Sequence, residues 1–298
     1  MSARLIDGRS IAEELRQELK SRIEELRKYR LVPGLAMILA GEDPASLTYV
    51  GAKAKACQKL GLHSETLRLP SEADTPTILD AVRQLNERPD IHGVLVQLPL
   101  PPDVDPRVVA ESILPRKDVD GFHPLTIGRL MTGQEAFAPC TPAGIVELLA
   151  RSGLDPRGKE VVILGRSVVV GRPLALLLMA KRKGGNATVT VCHTATADLE
   201  RHCRRADILI AAMGQPEAIG GNQVKTGAVV IDVGVHRKKD ANAPKGYRLV
   251  GDVHFPSVRE KASWITPVPG GVGPMTITML LSNTIRAAER ISGIKEGS

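Results

Sequence analysis

Aromatic residues are nearly missing from this 298-residue chain: one Trp, three Tyr and three Phe make up 2% of it. A core without rings has to be built from Val, Leu, Ile and Ala, the mixture favoured by parallel sheets covered with helices, so an α/β fold is expected. Cysteine is sparse as well. Cys57, Cys140, Cys192 and Cys203 lie far apart with no C-x-x-C pair, which argues against a disulfide framework and fits buried thiols in a reducing compartment. The pairs Cys192-His193 and His202-Cys203 match no common zinc spacing, and no metal is expected. Apolar runs such as "LALLLMA" (174–180) fall far short of the roughly 18–20 residues that span a bilayer, so no membrane association is expected. The N-terminal "MSARLIDGRSIAEELRQELKSRIEELRKYR" contains acids and no apolar h-region, unlike a secretory signal or a transit peptide, and a cytoplasmic location is expected.

Formal net charge is +7 and the pI is near 9.3, which suits anionic partners. Yet the chain has no long basic run, no aromatic interleaving for base stacking, and no zinc-finger or RNP-type motif. A phosphorylated small-molecule cofactor accounts for the charge with fewer assumptions than nucleic acid. A non-catalytic basic nucleic-acid-binding protein is the alternative from another functional class.

The length favours two domains, at roughly 100–200 residues each. Ser10 with Glu13 reads as a capping box, followed by Ile11, Leu15, Leu19, Ile23 and Leu26 at helical spacing to about Arg30. "GLAMILAG" (34–41) reads as a buried strand, Ser46 or Thr48 as the start of the next helix, 75–87 as another helix, and "GVLVQLPLP" (93–101) as a strand ended by its prolines. "KDVDGFHP" (117–124) contains D-x-D-G, but a calcium loop in that frame would begin at Arg116 and end at Ile127, where acids are required. Asp120-Gly121 is better read as a turn presenting one carboxylate.

From Thr141-Pro142, a helix start, the pattern turns regular. Near-continuous apolar strands at 160–164, 187–192, 206–212 and 228–233, with helical or turn segments between them, are the signature of a doubly wound parallel sheet. "WITPVPGGVGP" (264–274) is too rich in Gly and Pro for a regular element, and a helix beginning "MTITMLLSN" follows it. The expected division is a substrate domain over 1–140, rejoined by a C-terminal helix 276–298, and a Rossmann-like domain over 141–275.

"VVILGRSVVVGRPLALLL" (161–178) is a strand, a loop with Gly165, Ser167 and Gly171, and a helix opened by Pro173. Glycine lets backbone N–H groups approach a pyrophosphate, and the helix N-terminus adds partial positive charge. The match to G-x-G-x-x-G is imperfect, with Ser167 in place of the second Gly and one extra residue before Gly171. The next strand runs into Cys192, His193 and Thr194, with no carboxylate to repel a 2'-phosphate, while Arg166 in the loop could pair with one, so NADP is favoured over NAD. A merely solvated Arg166 is the competing reading.

In "LTYVGAKAKACQKLG" (47–61), at about 100° per residue, Val50, Ala54 and Cys57 form a buried stripe. Lys55 and Lys59 point to water, and Tyr49 and Lys53 share one edge of the helix, where geometry permits a site without requiring one.

"YVGAK" (49–53), "GVLVQLPLP" (93–101), "KDVDGFHP" (117–124), "PCTPAGI" (139–145), "GRSVVVGRP" (165–173) and "TPVPGGVGPMT" (266–276) together resemble the bifunctional methylenetetrahydrofolate dehydrogenase/cyclohydrolase family, in the family's order along almost the whole chain. The resemblance implies NADP-dependent oxidation of 5,10-methylenetetrahydrofolate to the 5,10-methenyl cation and hydrolysis to 10-formyltetrahydrofolate, in one-carbon metabolism that feeds purine biosynthesis. By the same resemblance, Lys53 would be the acid/base of the hydrolysis, Tyr49 its neighbour over the folate, Gln97 the amide bonded to Lys53, and Asp120 the anchor for the pterin edge. Leu98, Pro99, Pro269, Gly270 and Gly271 would line a folate cleft between the domains. Gly165, Arg166, Ser167, Gly171, Thr194, Val235 and Thr276 would meet the cofactor, and a homodimer is implied. The residue types suit these tasks. An acid/base lysine needs its neutral amine near pH 7, favoured by desolvation and a cationic substrate; an amide partner bonds to it without stabilising its charge; a carboxylate accepts paired N–H donors. Family members often carry Ser and a basic residue after the Cys-His pair, where this chain has Thr194 and Ala195, so NADP affinity rests more on Arg166. There is no G-x-x-x-x-G-K-[ST] sequence, and the formate ligase activity of larger family members is not expected. A family member that keeps only one of the two activities is the nearest rival reading.

Overall fold

Asp7 starts the first long helix. Its Oδ1 accepts from the backbone N–H of Arg9 (2.9 Å) and Ser10 (3.3 Å), so α1 (Gly8–Lys28) begins before the Ser10 capping box expected from the sequence. An Asp at this position satisfies orphan N–H groups and complements the helix dipole together. The computed structural model describes residues 2–243 and 246–294. Ahead of α1 lies a two-residue strand, β1 (Arg4–Leu5).

The chain divides into two compact units, one of Met1–Glu13 with Thr141–Thr276 and the other of Glu14–Cys140 with Ile277–Ser298. Residues 1–13, expected in the substrate domain over 1–140, group with the Rossmann-like segment. In the structure β1 pairs in parallel with a strand near residue 264, a partner too short and too remote in sequence to be read from periodicity.

The Glu14–Cys140 unit is built on a three-stranded parallel sheet in which β2 (Gly34–Ala40) lies between β3 (His63–Leu69) and β4 (Gly93–Val96). Every residue of β2 is buried, which explains its unbroken apolar sequence. Helices α2 (Pro44–Leu60) and α3 (Thr75–Glu87) provide the crossovers, and α4 (Pro106–Ser112) and α5 (Pro124–Met131) follow. Leu35, Met37 and Leu39 face a core with Leu19, Ile23, Leu26, Val50 and Cys57, while Ala36, Ile38 and Ala40 face a second one with Ile78, Val82 and Leu85. This alternation is the period of two expected of a strand buried on both faces. The strand expected over 93–101 stops at Val96; β3, with its mixed sequence HSETLRL, and the two short helices were not foreseen.

The other unit, which includes β1, resumes in α6 (Cys140–Arg151), one residue before the expected Thr141 start, and continues through β5 (Glu160–Leu164), α7 (Gly171–Met179), β6 (Thr188–Cys192), α8 (Leu199–Arg205), β7 (Ile208–Ala211) and β8 (Val229–Asp232). An antiparallel hairpin of β9 (His236–Lys239) and β10 (Tyr247–Val250), a short α9 (Phe255–Arg259), β11 (Trp264–Ile265) and α10 (Val272–Ile291) complete the chain. The sheet order is β1-β11-β8-β7-β5-β6, all pairs parallel. Strand order reverses at β5, which has β6 on one side and β7 on the other, placing a switch point at its carboxyl end. β11 lies in the Gly- and Pro-rich stretch expected to hold no regular element; its two residues pair at Val229 and Val230 before the first proline. α10 opens at Val272, ahead of the expected 276, and ends at Ile291; the expected extension over 295–298 lies outside the described residues.

Candidate active site

α2 starts where Asp43 Oδ2 accepts from Ser46 N (2.7 Å) with Pro44 in the first turn, so the cap is Asp43 and not Ser46 or Thr48. Ser46 is buried, and its hydroxyl donates to the Leu98 carbonyl (3.3 Å), tying the first turn of α2 to the segment after β4. Val50 and Cys57 point into the core and Ala54 packs at its edge; Lys55 and Lys59 are exposed. That orientation leaves Tyr49 exposed at 45% and Lys53, one turn later, half-buried. Lys53 Nζ donates to Gln97 Oε1 at 2.9 Å. Gln97 in turn donates from Nε2 to the Leu98 carbonyl (2.6 Å), and its backbone N–H donates to Ile38 O (2.9 Å). These bonds fix the amide with its oxygen toward the lysine. The Leu98-Pro99 peptide is cis, and Leu98 and Pro99 are exposed next to this pair.

Asp120 is brought to the same place by the 117–121 turn, which Val94 engages through a parallel bridge to Asp118. Asp118 was not singled out from the sequence, yet it organises the turn. Its carboxylate accepts from the N–H groups of Gly121 and Phe122 (both 3.1 Å) and His123 (2.9 Å) and from the Thr126 hydroxyl (2.7 Å). Gly121 has φ +80°, and a Cβ there would press on the backbone of Phe137–Pro139. Lys117 was also missed: it is buried, and its ammonium donates to the carbonyls of Leu85, Asn86 and Arg88, closing the end of α3. Behind the turn, Asn283 Nδ2 donates to Val119 O (2.8 Å) and Ala138 O (3.1 Å). Burial pushes the Asp120 carboxyl above its ordinary range, and the nearby Lys53 ammonium pulls it back down. Burial, then the Asp120 charge, pushes the Cys140 thiol well above its ordinary value. The sequence signal for Asp118 was there in "KDVDG", but a pattern of two acids does not say which faces inward.

In the other unit, the loop after β5 has the form a dinucleotide needs. Gly165 has φ +119°, and a Cβ on it would run into the Ala212 carbonyl; a Cβ on Gly171 would run into the carbonyl of Gly165. Ser167 Oγ accepts from Val170 N (3.1 Å) and Gly171 N (3.5 Å), holding the loop onto the start of α7. α7 begins at Gly171, two residues before the proline expected to open it. Arg166 is exposed, as is Thr194 in the loop after β6. The Gly165 N–H donates to Cys192 O (2.8 Å), which places the glycine loop beside the end of β6. Val235 is 46% exposed directly after β8. Thr276 shares a hydrogen bond with Thr141 (3.0 Å). Pro269 follows a cis peptide and is exposed, while Gly270 and Gly271 are buried, a Cβ on Gly270 meeting the Arg9 guanidinium and one on Gly271 meeting Thr266. The structure therefore gathers Tyr49, Lys53, Gln97, Leu98, Pro99 and Asp120 at the carboxyl ends of β2 and β4. It gathers the glycine loop, Thr194 and Val235 at the carboxyl ends of β5, β6 and β8. Among the described residues no group of three or more His, Cys, Asp or Glu side chains is arranged to hold a metal ion, and no helix is long and apolar enough to cross a membrane.

Residues 6–120 match the sequence profile of the tetrahydrofolate dehydrogenase/cyclohydrolase catalytic domain, and residues 139–292 match that family's NAD(P)-binding domain. The chain is 54% identical over 294 residues to a bifunctional protein FolD of Syntrophus aciditrophicus (99% of this chain, 100% of the relative). It is 51% identical over 290 residues to one from Moorella thermoacetica (97% and 100%). Among solved structures it resembles the Trypanosoma brucei methylenetetrahydrofolate dehydrogenase-cyclohydrolase complexed with NADP and inhibitor (TM-score 0.92, 41% identity, 97% of this chain and 98% of that one). It also resembles the bifunctional FolD enzyme of Campylobacter jejuni (TM-score 0.91, 43% identity, 97% and 99%). With a lysine-amide-carboxylate cluster in one unit, a glycine loop on a parallel sheet in the other, and matches of this extent in both, the chain belongs to the tetrahydrofolate dehydrogenase/cyclohydrolase family.

Proposed function

We infer that this enzyme oxidises 5,10-methylenetetrahydrofolate with NADP and hydrolyses the resulting methenyl cation to 10-formyltetrahydrofolate, with Lys53 as the acid/base of the second step. The observation that carries this reading is the 2.9 Å bond from Lys53 to an amide whose orientation is fixed, beside Asp120. The oriented amide holds the Lys53 amine in place, where it would serve as both acid and base. Lys53 takes one proton from the water that attacks the methenyl carbon and passes it to the departing nitrogen as the ring C–N bond opens, while the adduct's hydroxyl proton leaves to solvent as the formyl C=O forms. Asp120 accepts paired N–H donors from the pterin edge, and exposed Tyr49 offers its ring to the flat face of the substrate.

NADP, when bound, supplies the hydride acceptor. Gly165, Ser167 and Gly171 would hold its pyrophosphate at the start of α7, Arg166 and Thr194 its 2'-phosphate, and Val235 and Thr276 its nicotinamide end. No side chain is needed as a base for hydride loss. In the Lys53 unit, Leu98 and Pro99 would exclude water around the one-carbon bridge; Pro269, Gly270 and Gly271 are proposed to contact substrate from their own unit. The expected setting is a homodimer in the cytoplasm, acting on small molecules and not on nucleic acid or membranes, with a product that serves one-carbon transfer such as purine biosynthesis. The test is NADPH formation from methylenetetrahydrofolate, with NADP compared against NAD. Turnover favouring NADP is expected; no turnover with either dinucleotide would overturn the reading.

A further inference from the structure

The Rossmann-type unit contains a second carboxylate hub that the mechanism above does not use. Asp252 is fully buried, and all four of its lone-pair directions are occupied. Oδ2 accepts from the backbone N–H groups of Met213 (2.7 Å) and Gly214 (3.1 Å), and Oδ1 from Gln215 N (3.0 Å) and His236 Nε2 (2.7 Å). Three consecutive N–H groups of the loop after β7 thus converge on one side chain. Without it, these three N–H groups would lose the one acceptor that fixes the loop's conformation. Gly234 makes room for the arrangement, since a Cβ there would collide with the Asp252 carboxyl group.

The loop so held packs against the glycine loop. Ala212, immediately before Met213, places its carbonyl against Gly165, so the glycine loop and the β7 loop are in direct backbone contact. The far side of the hub is also fixed: Asp232 accepts from the N–H groups of Gly234 (3.1 Å), Asp252 (2.9 Å) and Val253 (3.1 Å). Val235 therefore sits between two anchored residues, Gly234 held by Asp232 and His236 held by Asp252. We propose that Asp252, with His236, is a positioning residue for dinucleotide binding, setting the β7 loop against the glycine loop and holding the Val235 segment in place. The inference rests on the dinucleotide reading of this unit and assigns part of its affinity to groups that never touch the cofactor.

The test uses the full chain carrying Asp252→Asn, which keeps the shape of the side chain but turns an amide NH2 toward backbone donors. The KM for NADP is expected to rise about tenfold or more, the scale set by removing hydrogen bonds to a buried charged acceptor, with a smaller change in kcat. NADPH binding, followed by its fluorescence, is expected to weaken in parallel. Hydrolysis of the methenyl substrate without dinucleotide, which uses Lys53 in the other unit, is expected to stay near the parental rate. His236→Leu is expected to give the same pattern more weakly, and His236→Gln, which keeps a donor, to restore part of the affinity. If Asp252→Asn does not fold, the His236 pair carries the test. Parental NADP KM and NADPH affinity in folded variants would overturn the proposal, as would equal loss of both activities, the mark of a general structural role. A parental chain that binds NADPH but oxidises no methylenetetrahydrofolate would overturn the activity assignment alone, because NADPH fluorescence would still report on the hub.

Discussion

Lys53 and Gln97 are joined by one hydrogen bond, and the proposed hydrolysis assigns the proton transfers to the lysine. Gln97→Glu keeps the reach but replaces the amide acceptor with an anion that pairs with the lysine, and methenyl hydrolysis is expected to fall by about 10²–10⁴-fold, the usual contribution of a positioned acid/base. Initial-rate assays on the methenyl substrate check this; an unchanged rate would mean that Lys53 does not exchange protons. Asp120 carries a pH signature. Its carboxyl lies above the ordinary range because of burial, so as pH falls it is protonated earlier than an exposed aspartate would be. The KM for folate is therefore expected to rise on the acid side from a higher pH than an ordinary carboxylate would give, and Asp120→Asn should lose that dependence while raising KM throughout. The cysteines make a control. Burial pushes Cys57 up to about 12 and Cys203 up to about 11, raises Cys192, and with Asp120 raises Cys140. Thiolate is the reactive form. A thiol reagent at pH 8 is expected to modify none of the four in the native protein and all four after denaturation, as counted by absorbance.

Elements whose physics is local were legible in the sequence. β2, β5, β7 and β8 are buried strands in a parallel sheet, so their apolar runs identify them; α3 was placed at its observed bounds because its apolar face repeats at helical spacing. Those that depend on a neighbour were not. β3 is an edge strand with charged, half-exposed residues; β9 and β10 read HRKK and YRLV, a hairpin lying outside the main sheet; β1 and β11 are two residues each and exist only through their pairing. The misplaced starts of α1 and α2 share one cause, an aspartate just before the helix, Asp7 or Asp43, that outcompetes the Ser and Thr after it. In the site, Lys53, Gln97 and Asp120 could be named through resemblance, but Lys117 and Asn283 act on backbone groups distant in sequence, which no spacing rule reveals, and Asp118 bonds N–H groups three to five residues on in a turn where two acids compete for that place. At this scale Asp43→Ala is expected to destabilise the protein by about 1 kcal/mol, the usual value of an N-cap, with hydrolysis slowed as well because the first turn of α2 also holds Leu98 through Ser46. Chemical denaturation and the methenyl assay check the two parts.

Both units place their functional loops at the carboxyl ends of parallel strands, where the crossovers leave backbone N–H groups and side chains facing outward. The whole molecule's stability carries a buried acid from one of these edges. Burial pushes the Asp232 carboxyl up to about 7. An unfolded aspartate titrates near 3.9, so between these values the folded chain binds the additional proton; the contribution of this group is full below the unfolded value and is lost as pH rises through about 7. Denaturant unfolding between pH 5 and 8 should show that loss, and Asp232→Asn should flatten it.

The central claim is that a single lysine serves the hydrolysis while the oxidation proceeds without it. It is tested most directly by giving the enzyme methylenetetrahydrofolate and NADP and following NADPH and the methenyl cation together. The parent should form NADPH with the methenyl signal decaying to the formyl product. Lys53→Met should convert no methenyl cation beyond the uncatalysed rate, so that any methenyl formed persists. Parental hydrolysis by Lys53→Met would contradict the account.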